Sequence, residues 1–266
     1  MTTFFHFSDF HIPPEKSISR KEGNPCNKIE RVIELAKDTN IKPAFSLITG
    51  DISQDGSIPG YQIAQEYISQ LESLGGPVLP VMGNVDKKGG FRECLLKDQD
   101  SDKSISCYYA TIIEGIRVIA LDSQSPGKHT GYLDEDQIDW LSKELKEEYE
   151  PTLIALHHPP FALHIPNGEK HLVFDESAMS RFQEVVRGSN VLAVLCGHLH
   201  QSLFVEDKGI QYLVGCAALS ELHIEMNRYN IYDSYGFTQV TLNKNQINAR
   251  PIIYNNGRNL ISSRGI

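Results

Sequence analysis

The sequence predicts an α/β protein in which two packed sheets are flanked by helices. Two observations carry this expectation. Through most of the 266 residues, short apolar runs alternate with stretches of helical periodicity, the pattern of repeated strand–helix–strand units and a largely parallel sheet. The last quarter changes character. There "IQYLVG", "GFTQVTL" and "INARPIIY" are strand-like pieces separated by turns, which implies an antiparallel or mixed second sheet.

In chain order, buried strands are expected at 4–8 (FFHFS), 44–49 (AFSLIT), 78–82 (VLPVM), 118–122 (VIALD), 152–156 (TLIAL) and 191–195 (VLAVL). Each is a short apolar run of the length a buried strand needs. Helical periodicity marks 27–38, 59–74, 134–148 and 177–187. In the third of these, Ile138, Leu141 and Leu145 share a face with Leu133, and the early acidic residues suit a helix N-terminus. No repeat, low-complexity block or Pro/Gly/Ser-rich linker interrupts the chain, so one domain over 1–266 is expected.

Composition narrows the function classes. The net charge is −9 and no basic stripe is present, which argues against a long nucleic acid, because neutralising phosphates takes clustered Lys and Arg. A small anionic substrate stays open if a local positive centre such as a metal overrides the global sign. The five cysteines, Cys26, Cys94, Cys107, Cys196 and Cys216, are odd in number and irregularly spaced, which speaks for a reducing compartment. The start "MTTFFHFSDF" lacks the charged and apolar regions of a signal peptide. No run approaches the roughly 18 apolar residues of a membrane span. A cytoplasmic protein without a membrane partner is expected.

Each strand-like run ends on particular chemistry. "FFHFSDFH" delivers Asp9 and His11, "FSLITGD" Asp51, "VLPVMGN" Asn84, "LIALHHPP" His157 and His158, and "AVLCGHLH" His198 and His200. Taken singly, most of these read as turn or strand-end chemistry. Loops at the carboxyl ends of parallel strands converge on one crevice, however. Pooled there, so many buried imidazoles and carboxylates need partners, and mixed His/Asp/Asn ligation suits Zn, Mn or Fe.

The ordered set Asp9-Phe10-His11, Gly50-Asp51, Gly83-Asn84-Val85-Asp86, His157-His158-Pro159 and Gly197-His198-Leu199-His200 resembles the calcineurin-like metallophosphoesterase family. "LDSQSPGKHTGYLDEDQIDWLSKEL" is further similar to a segment of its bacterial class III cyclic-nucleotide phosphodiesterase branch. The resemblance implies a four-layer αββα sandwich with a two-metal centre of Mn, Fe or Zn. By motif, Asp9, His11, Asp51 and His200 would hold one cation. Asp51, Asn84, His157 and His198 would hold the other, with Asp51 bridging. His157 is preferred to His158 because the family's ligand directly follows the strand. The activity implied is hydrolysis of a small phosphodiester, a cyclic nucleotide or glycerophosphodiester, by a metal-bridging hydroxide. A phosphomonoesterase, a nucleotide pyrophosphatase, or a non-catalytic module on the same fold are the alternatives. Several relatives are dimers or larger, so a homodimer is also implied.

One position departs from the pattern. Most members have a His where this chain has Val85. A valine donates no proton, and Asp86 loses its usual partner. His158, Asp86 and His223 are the candidates for catalytic groups at the site, and His129 and His164 are further available imidazoles. The rim is expected at 161–175, with His164, Asn167 and His171 in reach. For 221–236, with tyrosines at 229, 232 and 235, interface, core and pocket all stay open.

Overall fold

The computed structural model describes residues 1–97, 107–125, 127–147, 151–164, 170–225 and 228–265, so Asn167 lies outside the described residues. Two strand–helix–strand units come first: β1 (Thr2–Phe7), α1 (Pro25–Asp38), β2 (Ser46–Thr49), α2 (Ile58–Glu72) and β3 (Val78–Val81). A short helix, α3 (Lys88–Phe91), continues into one π-helical turn at Arg92–Leu96. Next are β4 (Tyr109–Ile113), β5 (Ile116–Ala120), α4 (Glu135–Glu144), β6 (Thr152–Ala155), β7 (Ala162–His164), β8 (Lys170–Leu172), α5 (Glu176–Val186) and β9 (Val191–Cys196). The remaining strands are β10 (Leu203–Asp207), β11 (Ile210–Val214), β12 (Glu221–Glu225), β13 (Arg228–Asn243) and β14 (Gln246–Gly265).

The helices begin where a side chain takes over an orphan N–H. The side chain of Asn24 accepts from Asn27 N ahead of α1, Ser57 from Gly60 N ahead of α2, Asp134 from Gln137 N ahead of α4, and Asp175 from Ser177 and Ala178 N ahead of α5. Each such cap stabilises its helix by about 1 kcal/mol. Asn24 and Pro25 move the start of α1 two residues ahead of the apolar periodicity, since proline is preorganised for the first turn.

One six-stranded sheet has the order β12-β13-β1-β2-β3, with β14 also paired to β13; the other has the order β10-β11-β9-β6-β5-β4. Within them β1, β2 and β3 run parallel, as do β5, β6, β9 and β11. Alternation along the strands then sorts the core into three slabs. Phe4, Leu47, Leu79, Val118, Leu153, Leu195 and Val240, drawn from both sheets, pack together between them. On one outer face Phe5, Phe7 and Ile48 meet Val32, Ile33, Tyr61 and Tyr67 of α1 and α2. On the other, Ile119, Ile154 and Val194 meet Leu141, Met179 and Phe182 of α4 and α5. The layers are therefore helix, sheet, sheet, helix: the expected αββα sandwich.

The last quarter does not build a sheet of its own. β12, β13 and β14 extend the first sheet through the pairing of β13 with β1, and β10 and β11 extend the second. A row of β1 backbone groups on the side away from β2 needs a partner, and β13 supplies it. The stretch 221–236 is β12 and the first half of β13. Register shifts between Ile231 and Tyr232 and between Tyr232 and Ser234 interrupt the alternation that would have revealed it. Among the described residues, no helix is long and apolar enough to cross a membrane.

Candidate metal centre

β1, β2, β3, β6 and β9 all end toward one crevice, and the next few residues after each carry its polar groups. The backbone there is strained. Asp9, His11, Asp51, His198 and His200 all have φ between 50° and 68°, a left-handed conformation that costs a non-glycine residue roughly 1–3 kcal/mol. Hydrogen bonds between loops hold it: Asp9 N donates to Gly50 O at 3.1 Å and His11 N to Asp51 O at 2.8 Å. Two glycines permit the loops to close this tightly. A Cβ on Gly50, whose φ is +88°, would strike the imidazole of His157, and one on Gly83 would strike the backbone of Asp51.

The side chains form two adjoining groups around Asp51. In the first, His11 Nε2 and His200 Nε2 stand 3.2 Å apart, His200 Nε2 lies 3.3 Å from Asp9 Oδ1, and His11 Nε2 lies 3.6 Å from Asp51 Oδ2. In the second, Asn84 Oδ1 is 3.1 Å from His157 Nε2 and 3.0 Å from His198 Nδ1. His157 Nε2 is also 3.4 Å from Asp51 Oδ1. Asp51 thus presents one oxygen to each group, and Val85 N donates to its Oδ1 at 3.0 Å.

This donor set fits a pair of cations, because the protons are elsewhere. His157 Nδ1 donates to Thr49 O at 2.7 Å and His200 Nδ1 to Ser220 O at 3.1 Å, since a carbonyl only accepts. His11 Nδ1 is likewise 2.8 Å from Gln54 Oε1. Their Nε2 atoms therefore turn lone pairs inward, against carboxylate and amide oxygens. Asp9 Oδ1 is fully buried and, among the described residues, has no hydrogen-bond partner beyond the ion-pair approach of His200 at 3.3 Å; an uncompensated buried carboxylate oxygen is costly. A cation at the centre would compensate it.

The electrostatics agree. Burial works to lower the His157 pKa, yet Asp51 and Asp9 outweigh it and lift it to about 9. Burial likewise works to raise Asp9 and Asp51, but the attraction of His200 and His157 holds both well below the ordinary carboxylate range. Burial instead lowers His11 to about 4 and His198 to about 3, while the carboxylates lift His200 as they lift His157. A carboxylate field of this kind also favours a metal ion.

The candidates for catalytic groups fare differently. Asp86 is completely buried and its carboxylate is used up: Oδ1 accepts from Ser53 N and Tyr61 OH, Oδ2 from Ile52 N and Gly83 N, at 2.9–3.2 Å. It ties the Asp51 loop to the Gly83 loop, and burial, with the charge of Asp51 beside it, lifts its pKa to about 6. His158 is also fully buried, with its Nδ1 2.9 Å from Ser123 Oγ and its ring against those of His157 and His198. Burial, with His198 and His157 beside it, depresses its pKa well below the ordinary value. His157, whose Nε2 meets Asn84 and Asp51, is the better placed of the adjacent pair. His223 lies on β12, with Nε2 2.8 Å from Glu221 and 3.0 Å from Arg258. His164 is exposed on β7, while the ring of His171 faces that of Tyr229 at 6.2 Å. His129 is exposed, and its Nδ1 is 3.4 Å from Asn84 Nδ2.

Sequence reasoning missed the residues that orient the cluster. Thr49 and Ser220 act through backbone carbonyls, which any residue type supplies, so no sequence signal exists for them. Gln54 and Tyr61 act through side chains, but nothing in "GDISQD" distinguishes Gln54 from loop polarity.

Residues 2–202 match the family model described as calcineurin-like phosphoesterase. The chain is 28% identical over 279 residues to a probable cyclic nucleotide phosphodiesterase of Rhodococcus erythropolis, covering 98% of this chain and 90% of that one. It is 28% identical over 203 residues to the glycerophosphodiester phosphodiesterase GpdQ of Enterobacter lignolyticus, covering 73% and 69% respectively. Two further relatives named as cyclic nucleotide phosphodiesterases are matched over 66% and 65% of their own length. Among solved structures, the purple acid phosphatase PPD1 from Lupinus luteus superposes with a TM-score of 0.62 at 13% identity, over 98% of this chain and 53% of that one; this likeness concerns the fold alone.

Proposed function

The chain belongs to the calcineurin-like phosphoesterase family, and from that premise we propose that it is a dinuclear metal-dependent phosphodiesterase acting on a small diester, a cyclic nucleotide or a glycerophosphodiester. One observation carries the reading: seven side chains from five strand ends turn lone pairs and carboxylate oxygens into one space, while carbonyls hold the outward nitrogens of His157 and His200. Asp9, His11 and His200 would hold one cation and Asn84, His157 and His198 the other, with Asp51 serving both. Mn, Fe and Zn all accept such ligands. When bound, such a pair supplies Lewis acidity toward phosphoryl oxygens and lowers the pKa of water.

The protein's own contribution is placement. Asp51 is held between the groups by the Val85 N–H, and His157 and His200 cannot swing out without giving up buried carbonyl contacts. Such supporting hydrogen bonds are typically worth about 10–100-fold in metal affinity or activity. In this reading no protein nucleophile is required. The diester preference is supported by what the relatives are named for, and the net charge of −9 supports a small substrate over a nucleic acid chain. The five cysteines are all free and buried, which supports a reducing, cytoplasmic setting.

The test is metal analysis together with hydrolysis by Mn²⁺-loaded protein of bis-p-nitrophenyl phosphate, p-nitrophenyl phosphate and 3′,5′- and 2′,3′-cyclic nucleotides. About two equivalents of metal and turnover of the diesters are expected. Hydrolysis of the monoester alone would reject the diester assignment, and protein that retains no metal would reject the enzyme.

A further inference from the structure

We propose that His129 is the hydrogen-bond donor to the substrate phosphoryl group at the position that Val85 leaves without one. This deepens the phosphodiesterase reading and rests on it. Among the imidazoles with described surroundings, only His129 combines contact with the cluster and access to solvent. His158 is sealed beneath it and His223 is engaged by Glu221 and Arg258. His164 has no described contact with any cluster residue.

The position of His129 is built. Gln124 Nε2 donates to the carbonyls of Gly83, Asn84 and Asp86 at 3.1, 3.3 and 2.7 Å, fastening this segment to the Asn84 loop. Downstream, Gly131 N donates to Val173 O and Asp175 N to Gly131 O, both at 2.8 Å, and Tyr132 N to Ser123 O at 3.1 Å. A side chain at Gly131 would strike His158, so this end of the segment lies directly over the buried histidine. His129 is thus carried between two anchored points.

Its proton is placed by the same contacts. Asn84 turns Oδ1 to His157 and His198, which leaves its NH₂ group facing His129 Nδ1 at 3.4 Å. An amide NH₂ only donates, so Nδ1 accepts and the ring carries its hydrogen on Nε2. An exposed N–H beside the cluster is what a phosphoryl oxygen requires, and no proton transfer has to be invoked. Removing one such donor typically costs about 10²–10³-fold in turnover. The aliphatic side chain of Val85 supplies none.

The experiment compares the parent, His129→Ala and Val85→His/His129→Ala, all Mn²⁺-loaded. It reads metal content, Tm, kcat/KM on bis-p-nitrophenyl phosphate, and inorganic phosphate affinity by calorimetry. His129→Ala should lose about 100-fold in kcat/KM and about tenfold in phosphate affinity, with metal content and Tm unchanged. The second substitution should restore at least about tenfold of the rate. Phosphate affinity and rate within about twofold of the parent, loss of metal from His129→Ala, or a parent that binds no phosphate would each overturn the assignment. A parent that binds phosphate in a His129-dependent way but hydrolyses no diester would leave the donor standing and refute the phosphodiesterase.

Discussion

The two halves of the proposed metal centre both use supporting contacts but differ in how far the backbone itself is bent. Asp9, His11 and His200 form one half, and all three sit on left-handed backbone. There the chain itself is bent to aim the side chains, and Asp9 is completely buried. In the other half only His198 has a positive φ; Asn84 and His157 reach the cluster on ordinary backbone. Their aim comes from side-chain and carbonyl contacts, Thr49 O on His157 and the Gln124 clamp on the Asn84 loop. Through Asn84 the second, open half meets the exposed His129, whereas in the first, closed half Asp9 and His11 are buried and His200 is partly exposed. Rigid backbone would suit a fixed ligand set, and in the proposed reading a substrate approaches from the side of His129.

Asp51 belongs to both halves, so its replacement has the largest effect. Asp51→Asn removes a charge facing His11 and His157 at once. Several kcal/mol of metal-derived stabilisation corresponds to a loss of about 10³-fold or more in kcat. Metal analysis should show both equivalents weakened; retention of one would mean that Asp51 serves a single half.

Asp86 joins the loops of the two halves without touching the centre. Tyr61→Phe deletes one of its four buried donors, costing about 1–3 kcal/mol. For a chain of this size that lowers Tm by roughly 2–10 °C. Calorimetry should find this drop with metal content intact, and loss of metal instead would make Asp86 part of the centre.

Gln54 supports only the closed half, through His11 Nδ1. Gln54→Ala should weaken one equivalent of metal by about 10–100-fold and leave the other, read by competitive chelation. Equal weakening of both would erase the distinction between the halves. The smallest effect belongs to the open half. Val85→His places a donor beside Asn84 and should raise turnover of diesters with poor leaving groups by about tenfold, less than the roughly 10²–10⁴-fold of a fully effective acid–base group. A fall in rate would show that the site has no vacancy there.

Much of this was legible beforehand, for identifiable reasons. Five apolar runs each end on a particular polar residue, so strand ends and ligands were read together, from Asp9 after β1 to His198 after β9. Periodicity did the same for helices, placing α4 within 134–148 and α5 at 177–187, while the caps Asp134 and Asp175 emerged only in the fold. The extent of β13 and β14 was not legible, because Ile231 and Tyr232 sit at register shifts where alternation fails. The surroundings of Asp86 were not legible for a similar reason. An acid after Gly83-Asn84-Val85 looks the same in sequence whether it faces solvent or four buried donors.

What the sequence determined by itself was the inventory and its order: which strand delivers which candidate ligand, and that Val85 stands where the resembling family mostly has a histidine. Periodicity and residue chemistry are local properties, and they survive in one dimension. Only the tertiary structure decided which nitrogen of each imidazole faces inward, that Asp86 is spent on backbone donors, and that His129, 45 residues from Asn84, meets its amide. Those facts depend on where carbonyls and N–H groups of distant loops come to rest. Every residue type supplies the same backbone groups, so their placement leaves no mark in the sequence.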